Sequence, residues 1–276
     1  MLRHLLKIIN PLPGLHVIFQ NRNLLRHLVK RNISARYQGA FLGGLWNFIQ
    51  PLMMLCVYTF VFSVVFKARW GEYAENSKGA FAMIIFCGMA CFSVFSESVT
   101  LSSGIICSNP NYVKKVVFPL VLLPLSQVLS SFLSGAVWLI LLLAGTVFVY
   151  GSISWSILWL PLLLIPFFML TLGVAFFVSS LAVYIRDTPY VVNVILQVFF
   201  FLTPIFYPVS AVPETFRKFL LLNPLARMIG QIRDVLFAAK LPDLGNFGIS
   251  LTVGAVVFLL GFAWFNKTQK GFADVI

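Results

Sequence analysis

Long apolar runs dominate the pattern of hydrophobic and polar positions along this chain. A helix needs roughly 20 mainly apolar residues to cross the hydrocarbon core of a bilayer, so each run predicts a transmembrane helix. The predicted spans are about 43–66, 80–106, 118–150, 157–184, 189–207 and 246–266. Some runs exceed what a bilayer requires, which predicts tilted or proline-kinked helices. The fold class predicted is therefore all-α and polytopic, with one transmembrane domain over residues 42–276.

Residues 1–41 have a different pattern, with seven Lys or Arg and no acid. Basic positions Arg22, Arg26 and Lys30 flank an approximate apolar helical stripe. The stripe consists of Leu15, Ile18, Phe19, Leu25, Leu28 and Val29. This arrangement is typical of an amphipathic interface helix lying on an anionic membrane surface. The alternative is a helix solvated by the cytosol.

Two short segments at about 211–239 are too polar to cross a membrane. In the second segment, Asn223 can cap a helix and Pro224 fits its first position. Its apolar face comprises Leu225, Met228, Ile229, Ile232 and Leu236. The polar positions of the two segments include Glu214, Arg217, Arg227, Gln231 and Asp234. The pattern predicts a pair of external helices before the last span, which serve either as a surface connection or as a lid over a pathway.

Composition supports a membrane protein, because 60% of the residues are hydrophobic, 10% are charged and the mean hydropathy is +0.94. Charges interrupt the first apolar run, so no cleavable signal peptide is predicted. With the N-terminus inside, the predicted topology places 12 Lys or Arg inside and eight outside. This bias follows the positive-inside rule and predicts that both termini are cytoplasmic.

Several chemistries have no sequence signature here. The chain lacks a GxxxxGK[ST] stretch, so we expect ATP hydrolysis in a partner and no cofactor bound by this chain. Glu97 is the one ionisable side chain placed inside a predicted span. Coupled carriers and membrane enzymes usually need several such groups. The four cysteines are interpreted as small apolar residues, and no metal site is predicted.

The inner connection at 107–117 predicts a short basic element. Asn109 can cap a helix with Pro110 at its first position, and Tyr112, Lys114 and Lys115 follow. This element is either a contact for a partner or a well-formed turn. A second inner turn holds Arg186 and Asp187, for which a local ion pair is the simpler interpretation.

Several stretches together resemble the permease subunit of polysaccharide-exporting ABC transporters of the ABC-2 type, most of all the O-antigen exporters. The matching pieces are Arg36-Tyr37, Leu42-Gly43 with Trp46 and Gln50-Pro51, Asn109-Pro110 through Lys114-Lys115 and Phe118-Pro119, Arg186-Asp187, TPIFYP at 203–208, Asn223-Pro224-Leu225, and Gly271 to Asp274. Together they cover nearly the whole chain in order.

The resemblance implies a homodimer of six-span subunits in the bacterial inner membrane, with two copies of an ABC ATPase that bind ATP and Mg. The ATPase contact implied is Asn109, Pro110, Tyr112, Lys114 and Lys115, with a lesser contact at Arg186 and Asp187. The candidates for the lipid pyrophosphate are Arg31, Arg36, Tyr37, Leu42 and Gly43, while lipid anchoring is the alternative for Arg31, Arg36 and Tyr37. The candidate path aromatics are Trp46, Tyr58, Phe60, Phe199, Phe200, Phe206 and Tyr207. The short external helices would form the gate.

The resemblance implies that the substrate is a glycan on undecaprenyl pyrophosphate. It also implies contact with membrane lipids and no nucleic-acid partner. Capsule and teichoic-acid exporters are related alternatives. Two alternative functions from other classes of protein remain: an ABC-2 permease for a hydrophobic drug, and a membrane glycosyl- or acyltransferase.

Overall fold

The computed structural model describes residues 17–61, 78–114 and 118–276. Leu15 of the predicted stripe, residues 62–66 of the predicted first span and Lys115 of the inner connection lie outside these residues. The described residues form helices and turns without a strand.

The helices are numbered here in chain order. They are α1 (Arg22–Arg36), α2 (Trp46–Thr59), α3 (Lys78–Ser103), α4 (Pro110–Lys114), α5 (Leu122–Tyr150), α6 (Leu160–Tyr184), α7 (Thr188–Leu202), α8 (Glu214–Leu222), α9 (Pro224–Phe237), α10 (Leu244–Thr268) and α11 (Phe272–Val275). Short 3₁₀ turns occur at Gly43–Leu45, Trp155–Trp159, Val209–Ala211 and Gln269–Gly271.

Four helical stretches in the described residues are long and apolar enough to cross a membrane. They are Gly79–Ser103, Leu122–Tyr150, Trp155–Tyr184 and Leu244–Val275. Four of the six predicted spans are thereby confirmed as candidate spans, and the chain is a multi-pass membrane protein. Helix α2 begins at Trp46, but the described part of the predicted first span ends at residue 61.

The predicted fifth span, 189–207, is only partly helical. Helix α7 is apolar but has 15 residues, fewer than the roughly 20 that a crossing needs. It ends at Leu202 because Thr203 adopts an extended conformation, with φ −91° and ψ 132°. A residue before proline avoids the helical region, and Pro204 follows Thr203. Residues 203–208 therefore form the Pro-rich corner that the sequence after Val198 predicts, but the corner begins inside the predicted span instead of at its end.

Helix α5 runs antiparallel to α3 and α6, while α10 runs parallel to α6, so the ends of these helices meet at two ends of the bundle. At one end, called the α1 end, Asn32 contacts Ser126 near the start of α5, and Tyr184 contacts Thr268. At the other, the α9 end, the Ser156 hydroxyl donates to the Val235 carbonyl over 2.6 Å. Polar contacts therefore occur at both ends of the same bundle of long helices.

Helices α6 and α10 pack backbone to backbone through glycines. A Cβ at Gly254 would lie 2.6 Å from the Pro166 carbonyl oxygen, and one at Gly173 would lie 2.5 Å from the Val257 oxygen. At Gly261 a Cβ would overlap the Gly173 carbonyl oxygen. Close approach through small residues is a common way for helices to associate in lipid, where no hydrophobic force draws them together.

Gly261→Ala is expected to lower the free energy of unfolding by about 1–3 kcal/mol, because the added methyl group meets backbone that cannot rotate away. Chemical unfolding in mixed detergent micelles measures this loss. Gly248→Ala is the matched control, since it lies in the same helix with nothing within 4 Å of the added Cβ. Equal stability of the two variants would show that the close packing of α6 and α10 is not required.

Candidate functional site

Helix α1 packs against the start of α5. Leu28, Val29 and Asn32 are buried, and the Asn32 side-chain amide donates to the Ser126 hydroxyl over 3.1 Å. The apolar stripe predicted from the sequence therefore faces protein at these positions. The basic residues Arg22, Arg26 and Lys30 are all exposed.

Arg36, at the end of α1, occupies a polar cluster between α3 and α5. Its guanidinium group forms an ion pair with Glu97 of α3. It also donates to the hydroxyls of Ser134 over 2.9 Å and of Ser130 and Ser131 over 3.0 Å each. Arg36 is 13% exposed and Glu97 is 37% exposed. Glu97, the one acid inside a predicted span, thus pairs with a residue 61 positions away in the sequence. No local pattern indicated this pair.

The turn after α1 contains the remaining candidates for the lipid head group. Tyr37 is partly buried, and this burial raises the pKa of its phenol, so the hydroxyl stays protonated and able to donate. Leu42 is exposed, and Gly43 has φ +49°, a left-handed conformation that favours glycine. Arg36 thus points into the bundle, whereas Leu42 lies at the surface and Tyr37 is only partly covered.

Arg31 faces the predicted coupling element instead. Its Nη1 donates to the Tyr112 hydroxyl over 3.2 Å, and its Cζ lies 5.8 Å from the centre of the Tyr112 ring. The Tyr112 ring stacks on Phe118 with centroids 4.5 Å apart. Helix α11 also contacts α4, with Phe272 buried between neighbouring helices. Three short elements from distant parts of the sequence, α1, α4 and α11, thus meet at the α1 end.

The hydrogen bonding of Asn109, just before α4, differs from the prediction. Asn109 was expected to cap α4, but its side-chain amide donates to the Ile105 carbonyl over 2.8 Å and to the Ser108 hydroxyl over 3.1 Å. It therefore pairs with a carbonyl in the turn that follows α3. Helix α4 begins at Pro110 as expected, and Lys114 is exposed.

Arg186 and Asp187 lie in the turn between α6 and α7, and both are exposed. The ion pair considered for them is not formed among the described residues. Asp187 instead contributes its backbone carbonyl, which accepts from the Tyr190 and Val191 amides over 3.0 and 3.1 Å.

The structure groups some of the candidate path aromatics and separates others. Phe206 contacts Tyr58 and Phe200, with ring centroids 5.2 Å apart in each pair. Phe199 instead contacts Phe95 at 6.3 Å. The remaining three are separate: Trp46 and Phe60 are 41% and 59% exposed, and Tyr207 donates to the Phe201 carbonyl over 3.0 Å. A contiguous aromatic surface thus joins α2 and α7 at the corner.

Helices α8 and α9 form at the predicted positions. Asn223 caps α9, because its Oδ1 accepts from the backbone amides of Leu225 and Ala226 over 2.9 and 3.3 Å. Its Nδ2 also donates to the Thr203 hydroxyl over 3.0 Å. The cap therefore holds the corner at the end of α7 as well as its own helix.

Arg233 is a central residue of the α9 end that the sequence analysis did not select. It is only 6% exposed, and its guanidinium group donates to the carbonyls of Ile84, Pro204 and Ile205 over 3.1, 2.8 and 3.1 Å. A Cβ at Gly88 would overlap this group. The available signal was position: Arg233 follows Ile229 by four residues, which places it on the apolar face of α9.

Two of the other candidates for the external gate, Arg217 and Arg227, donate hydrogen bonds. Arg217 donates to the carbonyls of Val212 and Ser210 over 3.1 and 3.0 Å. Arg227 donates to the Asn246 side chain over 3.0 Å. Glu214 begins α8 and is exposed, while Gln231 is buried.

These two ends, joined by long apolar helices, are those of a multi-pass membrane protein. The chain belongs to the family described as ABC-2 type transporter, which matches residues 23–237. Membership implies association with an ABC ATPase.

Similar proteins cover nearly the whole chain. The O-antigen export system permease protein RfbA of Myxococcus xanthus is 28% identical over 262 residues, covering 94% of this chain and 97% of the relative. A protein of the same name from Klebsiella pneumoniae is 30% identical over 260 residues, covering 92% and 95%. The polysialic acid transport protein KpsM of Escherichia coli is 24% identical over 254 residues, covering 88% and 92%.

Proposed function

We propose that this chain is the membrane subunit of an ABC exporter for a lipid-linked polysaccharide, specifically O-antigen on undecaprenyl pyrophosphate. Two copies form the permease in the bacterial inner membrane, each with six spans and cytoplasmic termini. Two ABC ATPase subunits bind ATP and Mg and supply the energy. The α1 end faces the cytoplasm and the α9 end faces outward.

The observation that carries this proposal is the continuous set of contacts from α4 to the long helices. Tyr112 of α4 contacts Arg31 of α1, and the same helix ends at Arg36, which binds Glu97 of α3 and serines of α5. A force applied at α4 by an ATPase would therefore reach two spans through α1. The similarity to O-antigen permeases over more than nine-tenths of the chain supports the substrate.

The lipid head group enters at the turn after α1. Tyr37 offers a neutral hydroxyl donor, and the left-handed turn at Gly43 brings backbone close to the surface. Arg36 reaches a pyrophosphate only by exchanging its contact with Glu97. We therefore assign the first contact to the turn and a later contact to Arg36.

Capsular polysaccharide is the second candidate substrate, favoured by the similarity to the polysialic acid transport protein at 24% identity. The O-antigen relatives are more similar, at 28% and 30%, and rank first for this reason. A drug permease or a membrane transferase has no such relative among those compared above.

ATPase activity in lipid nanodiscs tests the proposal. We expect no activity from this chain alone, a stable two-plus-two complex after co-expression with the ATPase encoded beside it, and turnover that responds to lipid-linked O-antigen. Failure of any ATPase to associate, or modification of the glycan by the isolated chain, would overturn the exporter assignment.

Tyr112→Ala is expected to reduce glycan-stimulated ATPase turnover about tenfold while the permease still folds. The change removes both the hydroxyl and the ring that join α4 to Arg31, each a modest interaction of about 1 kcal/mol. Phe148→Ala is the matched control, since this aromatic side chain lies near the other end of α5 and is 92% exposed. Loss of coupling in both variants would argue against a specific route through Tyr112.

A further inference from the structure

A polar pocket of about 230 Å³ lies at the α9 end, between α8, α9, the turn Val209–Ala211 and the start of α10. Arg227, Gln231, Asp234 and Asn246 provide its polar wall, and Leu220 is among its apolar residues. A cavity of about 160 Å³ between α3, α5 and α6 has only apolar side chains around it. Apolar cavities of this kind stay dry, whereas a polar one is suited to a hydrogen-bonding occupant.

Gln231 has an unmet hydrogen-bonding requirement in this pocket. The residue is 6% exposed, and its side-chain Nε2 is buried without a hydrogen-bond partner among the described residues. Leaving a buried amide donor unpaired is costly, so native structures usually pair it with protein or with ordered water. A ligand oxygen that reached Gln231 would therefore meet an unused donor.

Gly230 creates space beside this amide. A glycine in a helix interior lowers helix stability relative to alanine, which calls for a compensating reason. At Gly88 and Gly261 the reason is steric, because an added Cβ would overlap a neighbour. At Gly230 nothing lies within 4 Å of the added Cβ, and the residue does not have a positive φ. What glycine provides here is open volume in the pocket.

The wall suits a neutral molecule that both donates and accepts hydrogen bonds. Arg227 donates to Asn246 over 3.0 Å, and the Asp234 carboxylate lies in the same pocket, so cation and anion are both present. This mixture favours neither a free anion nor a free cation. Hydroxyl groups can serve both kinds of partner, and the C–H face of a sugar ring can pack on Leu220.

We propose that this pocket binds one neutral, hydroxyl-bearing sugar unit of the exported chain at the outer mouth. The inference rests on the proposed export function and adds a contact site for the glycan outside the aromatic surface. Gln231 contacts the sugar directly, and Gly230 leaves room for the ring.

Saturation-transfer NMR on the permease–ATPase complex in nanodiscs tests the site. The probes are the methyl glycosides of glucose, galactose, mannose and N-acetylglucosamine. We expect at least one glycoside to give a signal, which Gly230→Leu abolishes by filling the pocket. Gln231→Leu should weaken binding about tenfold through loss of one hydrogen bond to a buried amide.

Gly230→Ala is the matched control, because its methyl group occupies little of the pocket, and it should retain the signal. Thermal unfolding of each variant checks that Gly230→Leu remains folded. The proposal is overturned if no glycoside binds, or if folded Gly230→Leu binds as well as the parent.

ATPase recruitment and glycoside binding, measured together, distinguish failure of this proposal from failure of the export function. Glycan-stimulated ATPase turnover without glycoside binding would overturn the proposed sugar site and leave the exporter assignment intact. Glycoside binding that depends on Gly230 in a chain that recruits no ATPase would leave a sugar-binding pocket and overturn export.

Discussion

Arg233→Met is expected to lower the free energy of unfolding by about 2–5 kcal/mol, because it leaves the Pro204 and Ile205 carbonyls without their donor. Each unpaired buried polar group costs about 1–3 kcal/mol. The Ile84 carbonyl also loses a donor, but it lies in the interior of α3, where carbonyls accept from the helix backbone. The loss should therefore fall mainly on the corner that ends α7.

Chemical unfolding in mixed detergent micelles measures this effect. Arg217→Met is the matched control: its guanidinium also donates to two backbone carbonyls, but these belong to a partly exposed segment that water can reach. We expect the control to lose less than about 1 kcal/mol. If Arg233→Met is no less stable than the control, Arg233 does not anchor the corner.

A double mutant locates the interaction more closely. Gly88→Ala alone should be destabilising, because its methyl group would overlap the Arg233 guanidinium and lie 3.2 Å from Ile205 Cγ2. In an Arg233→Ala background the guanidinium is gone, so the same change should cost less. This non-additivity is the sign of direct contact between two positions.

Elements governed by local rules were predictable from the sequence. The four long helices follow from the apolar runs, and the cap by Asn223 follows from its place before Pro224. A Pro-rich corner after α7 was also predictable from Thr203-Pro204, but the apolar residues beyond the proline led the predicted span to extend to residue 207. Hydrophobicity measures whether a segment suits lipid, whereas helix length also depends on backbone geometry.

The polar contacts at both ends were not predictable, since they join residues far apart in sequence. Arg36 was predicted to contact the lipid head group because of the family resemblance, and the structure places its partners in α3 and α5. Asn109 is a local exception, because an Asn side chain can either cap the following helix or donate to a carbonyl one turn earlier, and here it donates to Ile105. Residue type limits which bonds a side chain can form, but it does not select among them.

The ion pair between Arg36 and Glu97 has an asymmetric environment that sets its energetic role. Arg36 is 13% exposed and holds three serine hydroxyls, whereas Glu97 is 37% exposed. Exposed pairs contribute about 0–1 kcal/mol, while breaking a buried pair costs about 3–5 kcal/mol. Removing Glu97 leaves the buried guanidinium with its three serine partners, whereas removing Arg36 deprives Glu97 and all three serines of theirs, so the change at Arg36 should cost more.

Arg36→Met is accordingly expected to lower the free energy of unfolding by about 3–5 kcal/mol, because it leaves Glu97 and three buried serines without their partner. Glu97→Gln should cost about 1–3 kcal/mol, since the serines still hold the guanidinium. Chemical unfolding measures both variants, with Arg22→Met on exposed helix surface as the control at about 0.5 kcal/mol or less. Arg36→Met combined with Glu97→Gln should be more stable than the sum of the two single losses predicts. Strict additivity would mean that Arg36 stabilises the bundle through the serines alone, and that Glu97 is free to act elsewhere.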